Sequence, residues 1–186
     1  MPVRTVLQLG DPRLREPCEA VQHVFSPEID ELIADLTDTL AHWRATTGYG
    51  RAIAAPQIGI MKRVILLHLP GEKPWSLINP VILEKSEEKI VVWDACLSFL
   101  SIFMQVERHR RIAVQYITER GVFDVIAAGD EKSLSELLQH EIDHLDGILA
   151  IDRVTDVKTI VTRGEFEKLY REGSPYAVAP VLGPES

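Results

Sequence analysis

Gln139-His140-Glu141-Ile142-Asp143-His144-Leu145-Asp146-Gly147 is the stretch on which the reading of this chain turns. Positions i and i+4 of an α-helix share one face, so two imidazoles spaced as His140 and His144 can grip a single ion. Glu141 lies beside one of them, placed to act as a base without being a ligand. The helix that carries them is predicted from about Ser133 to Leu145. Leu134, Leu137, Leu138, Ile142 and Leu145 supply an apolar face, and Gly147 supplies a stop. Upstream come β-rich runs at Val64 to Leu69, Leu77 to Leu83, Ile90 to Trp93, Ile112 to Thr118 and Val122 to Ala127, broken by Gly, Pro or charged residues. Strands followed by an amphipathic helix predict an α+β domain, with mixed or antiparallel sheets curved around a central metal-binding helix.

Further out, Ser26-Pro27-Glu28 has the form of an N-cap, a proline at the first helical position and an acid in the first turn. Ile29, Leu32, Ile33, Leu36, Leu40 and Trp43 then recur at helical spacing until Gly48, which predicts a structural helix. A short third helix is expected from Glu165 to Arg171. Residues 1–172 are read as one catalytic domain and 173–186 as a Pro/Gly/Ala-rich tail with little capacity to bury itself. The 186 residues, 46% hydrophobic, suffice for one core and fall short of two ordinary enzyme domains. A net charge of -8 with scattered acids argues against a nucleic-acid partner. No run of eighteen apolar residues and no apolar N-terminal segment with a cleavage site is present, so a cytoplasmic protein with no membrane partner is expected.

Two histidines leave a catalytic metal one ligand short, because such sites use three protein groups and keep one position for water. Cys96, at the end of a predicted strand, would complete a Cys-His-His set. Glu165 or Glu167 on the third helix would instead give the two-histidine, one-glutamate set of zinc peptidases. The other cysteine, Cys18, reads as a buried apolar residue, and a Cys18–Cys96 disulfide is not expected.

The small-residue run Thr47-Gly48-Tyr49-Gly50-Arg51-Ala52-Ile53-Ala54-Ala55-Pro56-Gln57-Ile58-Gly59 forms a loop that lets backbone approach a ligand closely. Its end, Ala54-Ala55-Pro56-Gln57-Ile58-Gly59, together with Cys96-Leu97-Ser98 and the His140 stretch, resembles the three ordered motifs of the peptide deformylases. Asp11-Pro12-Arg13-Leu14-Arg15, Ile78-Asn79-Pro80 and Arg108 agree with that resemblance, which covers roughly residues 5 to 153. It implies hydrolysis of a formamide, the substrate being an N-formyl peptide or a small formylated compound. The implied ligands are Cys96, His140 and His144, with Glu141 as general base. The Leu97 backbone N–H and the Gln57 amide are implied as oxyanion donors. The implied cofactor is one divalent metal, Fe2+ first, with Zn2+, Ni2+ or Co2+ as substitutes. Ribosome association is left open.

The motifs are altered around this centre. Ala52 and Ala95 stand where the family has glycines, and each added methyl is expected to narrow the channel or forbid a backbone geometry. Asp94 replaces a longer glutamate that pairs with an arginine at the position of Arg108. Phe103 and Leu100-Ser101 also depart from the family pattern at the substrate rim. Arg51 occupies a wall position that is usually apolar, and Glu136 lies one turn before His140 on the same helical face. Two readings follow: a polar substrate pocket built on an Arg51–Glu136 pair, or two side chains that snorkel to solvent.

Overall fold

The structure, a computed structural model, describes residues 3–129, 133–172 and 174. The first helix, α1 (Pro27–Thr47), begins after an extended Ser26 with Pro27 in the first turn beside Glu28 and Asp30. It ends where Gly48 adopts φ 74° and donates its N–H to the Arg44 carbonyl, as the glycine stop predicted.

Five strands form one sheet in the order β1 (Ala52–Ala54), β2 (Val64–Leu67), β3 (Trp75–Lys85), β6 (Ile112–Ile117), β7 (Phe123–Ala128). A second sheet orders β4 (Lys89–Asp94), β5 (Ile102–His109) and β8 (Val161–Thr162). Every strand pair is antiparallel, which settles the mixed-or-antiparallel alternative. In β3 the register shifts between Ile78 and Val81, where Asn79 takes φ 51° and clasps the backbone of Val21 through both ends of its amide.

The larger sheet is covered on both faces at its β1–β2 side, and β2 shows how. Ile65 and Leu67 pack toward Leu138, Ile142 and Leu145 of α2 (Leu134–Leu145), whereas Val64 and Leu66 pack toward Leu32, Leu36 and Leu40 of α1. Alternating side chains thus serve two cores, which is why the run reads as continuously apolar. Burying one such leucine contributes about 1.5–3 kcal/mol, so this face holds α2 firmly in place.

The last helix, α3 (Arg163–Leu169), covers the small sheet through Phe166, which stacks on Phe103 at 4.0 Å and meets Trp93 at 5.3 Å. Gly147, just past α2, has φ 73°, and a Cβ there would lie 2.5 Å from the Arg15 carbonyl oxygen. Only glycine fits that crossing. Cys18 and Cys96 are both free and buried, and burial pushes the Cys18 thiol up to about 11. The expected tail, 173–186, lies outside the described residues apart from Ser174. Among the described residues no helix is long and apolar enough to cross a membrane.

Candidate metal centre

Cys96 follows β4 and opens the short helical turn Leu97–Phe99, while His140 and His144 project from one face of α2. One donor atom from each of the three lies within 4.8 Å of the other two. The Cys96 Sγ is 3.1 Å from the His144 Nε2, and the two imidazole rings sit 5.0 Å apart at 69°. All three side chains are buried.

Around these donors the chain supplies a fixed frame. The Nδ1 of His140 lies 2.9 Å from the Asp94 Oδ1, which turns its other ring nitrogen toward Cys96 and His144. Asp94 in turn receives the Arg108 guanidinium at 3.0 Å, so the expected aspartate–arginine pair forms despite the shorter side chain. Arg108 also reaches Asp143 at 2.5 Å, and Arg153 holds the same Asp143 carboxylate at 2.7 Å. Burial disfavours charge on His140, yet the Asp94 carboxylate outweighs it and holds the imidazole well above its ordinary pKa. Burial and the neighbouring His140 hold His144 well below its own. Against its burial, Asp94 is kept under the usual carboxylate range by His140 and Arg108.

Glu141 is buried beside His140, and no hydrogen-bond partner reaches its Oε2 among the described residues. Burial pushes its carboxyl up to about 7. The Gln57 amide is oriented: its Oε1 accepts from the Ala54 N–H at 2.9 Å, leaving its Nε2 near the Cys96 Sγ (3.4 Å) and the Ser98 Oγ (3.3 Å). These groups border a cavity of about 40 Å³ whose walls include Gln57, His140 and Glu141, and also Arg51, Ala52, Ala95, Leu97 and Glu136.

Sulfur and two imidazole nitrogens are the donors a thiophilic divalent ion takes, and three protein donors leave the open position that hydrolysis requires. The donor set therefore fits one divalent metal. The alternative third ligands do not: Glu167 accepts from the Tyr49 hydroxyl at 2.9 Å and from Arg163 at 2.8 Å, and Glu165 faces Lys168 on the exposed side of α3.

A family model for polypeptide deformylases matches residues 3–159. The chain belongs to that family. A peptide deformylase of Bartonella tribocorum is 38% identical over 178 residues, spanning 92% of this chain and 96% of the relative. Among solved structures, the peptide deformylase of Thermotoga maritima superposes with a TM-score of 0.76 at 33% identity, covering 84% of this chain and 100% of the other. That of Ehrlichia chaffeensis gives 0.76 at 31% identity, with 85% and 91% covered. The α+β deformylase fold read from the sequence is the fold observed.

Three expectations resolve here. Arg51 and Glu136 do not snorkel: the Arg51 Nη2 meets the Glu136 Oε1 at 2.5 Å, with the side chains 16% and 3% exposed. Ala52 and Ala95 force no unusual backbone, since the only non-glycine residues with positive φ among those described are Asn79 and Ser133, and both alanines line the cavity. Phe103 is fully buried under Tyr49 and Phe166 and so forms no rim. Gln139, which opens the helical motif, bonds the backbone of His109 and ties α2 to the end of β5. The links from Asp94 to His140 and from Asp143 to Arg153 escaped sequence reasoning, as did the place of Tyr49 in the cavity wall. A tyrosine between two glycines of a ligand-approaching loop was the available signal for the last.

Proposed function

We propose that this chain removes the N-formyl group from N-formyl peptides, the N-formylmethionyl ends of newly made proteins, in the cytoplasm. The observation that carries this reading is the convergence of Cys96, His140 and His144 within 4.8 Å beside a buried Glu141. Cys96, His140 and His144 hold one divalent ion in this reading, Fe2+ in preference to Zn2+, Ni2+ or Co2+. Bound there, such an ion would lower the pKa of water towards about 7 and would supply Lewis acidity to the formyl group.

The chain's own residues do the rest. Glu141 takes the proton of the attacking water and delivers it to the amine nitrogen as the C–N bond breaks, so that formate and a free amine leave. The oxyanion is received by the Gln57 Nε2, whose direction Ala54 fixes, and by the N–H of Leu97, the first residue of a helical turn, where an N–H has no helical acceptor. Removing one such donor costs about 3–4 kcal/mol of barrier. Arg51, Ala52, Ala95 and Glu136 contact the remainder of the substrate.

Anaerobic purification with metal analysis, followed by formate release from formyl-Met-Ala, tests the reading. Cys96→Ala is expected to lose the metal. Glu141→Ala is expected to keep the metal and lose turnover, and formate release by Glu141→Ala at the parent rate would refute the mechanism.

A further inference from the structure

We infer that the cavity next to the scissile formamide selects N-formyl peptides whose first side chain is uncharged, of methionine length, and ends in a hydrogen-bond acceptor. On a chain begun with formyl-methionine, methionine sulfoxide is the side chain that meets this description. The inference rests on the deformylase reading above and sharpens its substrate.

The cavity has two ends. Gln57, His140 and Glu141 mark the end where the formyl group reacts, while Arg51 and Glu136 form the wall beyond it. Glu136 precedes His140 by one helical turn on α2, a separation of about 5–6 Å between Cβ atoms. A side chain on the carbon beside the formamide nitrogen therefore reaches the Arg51–Glu136 pair when it is about as long as methionine. The pair is close at 2.5 Å and its carboxylate is almost fully buried. Arg51 donates through its Nη2 to the Glu136 carboxylate and through its Nη1 to the Ser133 carbonyl at 3.4 Å, so the guanidinium is held in a fixed direction at the cavity wall.

A thioether seated on this wall would strip water from the pair and return only a weak acceptor. A sulfoxide or carboxamide oxygen returns a strong acceptor to the guanidinium, and a carboxamide also offers N–H to Glu136. A carboxylate side chain would set a second anion beside the buried Glu136 carboxylate, which already takes the charge of Arg51. Sites built to hydrogen-bond a substrate group discriminate strongly against analogues that lack it.

The test measures kcat/KM for formate release by the metal-loaded parent on formyl-Met-Ala, formyl-Met-sulfoxide-Ala, formyl-Gln-Ala and formyl-Glu-Ala. The sulfoxide and glutamine peptides are expected to exceed the methionine peptide at least tenfold, with the glutamate peptide poorest. A parent that turns over the methionine peptide as fast as, or faster than, the sulfoxide and glutamine peptides overturns the inference and leaves the deformylase reading standing. Formate from none of the four overturns both. In the double variant Arg51→Leu with Glu136→Leu, the order is expected to invert in favour of methionine.

Discussion

Arg108 is the buried hinge of the charge network behind the metal centre, and replacing it with methionine should be among the most damaging single changes outside the donors themselves. Its side chain is 3% exposed and lies 3.0 Å from Asp94 and 2.5 Å from Asp143, which are 1% and 10% exposed. Methionine matches the volume and removes the charge, so Asp94 keeps His140 but loses its guanidinium partner in a dry environment. Breaking a buried pair from one side costs about 3–5 kcal/mol, most of it the penalty on the carboxylate left behind. Arg153 is the internal control, because it bonds the same Asp143 carboxylate but is 44% exposed. An exposed pair contributes about 0–1 kcal/mol, so Arg153→Ala should barely register. Urea unfolding followed by tryptophan emission reads both variants, and Trp93, packed on Phe166 one residue before Asp94, reports from the network itself. If Arg108→Met stays within about 1 kcal/mol of the parent, or Arg153→Ala costs as much as Arg108→Met, burial is not what gives this network its strength.

A second prediction concerns pH. Glu141 has its folded pKa raised to about 7 from an ordinary 4.5, so it binds its proton more tightly when folded. Its contribution to stability is complete below about 4.5 and is lost as pH rises through 7. In chelator-treated protein, Glu141→Gln should flatten that decline and be the more stable form above neutrality, which thermal melts across the range will show. Gly147→Ala should cost about 2 kcal/mol or more, through a left-handed φ and a Cβ pressed on the Arg15 carbonyl, and urea midpoints will measure it. Phe166→Ala opens a fully buried site and should cost about 3–5 kcal/mol, checked by calorimetry. It should also loosen Tyr49, which leans on Phe103 at 5.6 Å, and so raise KM for formyl peptides.

What the sequence disclosed followed from local signals. The bounds of α1 were legible because Pro27 and Gly48 act within their own turns, and α2 was legible because its leucines repeat at helical spacing. Strand β5 was missed: in Ile102–His109 the alternation holds only from Met104 to Glu107, because Phe103 and Met104 are buried in succession and the next inward position is the charged Arg108. Strand β1 is three alanine-rich residues, and β8 is two residues long, each held by its neighbours rather than by its own preference. At the site, residue type and spacing pointed to Cys96, His140, Glu141 and His144. The pairing of Arg51 with Glu136, or of Asp94 with both His140 and Arg108, depends on how two sheets face one helix, and short-range pattern carries no trace of that.

The donors also have an order along the chain. Cys96 closes a strand of the small sheet, and the histidines sit on a helix that packs chiefly against the large one. An ion held by all three would rivet the two layers together. Along the chain the thiol precedes both imidazoles, and α3, whose Glu167 steadies Tyr49 in the cavity wall, follows them. Because the thiol and the imidazoles come from different layers, the full donor set exists only once α2 has docked beside the small sheet, and a scarcity of the ion would leave that junction unfastened.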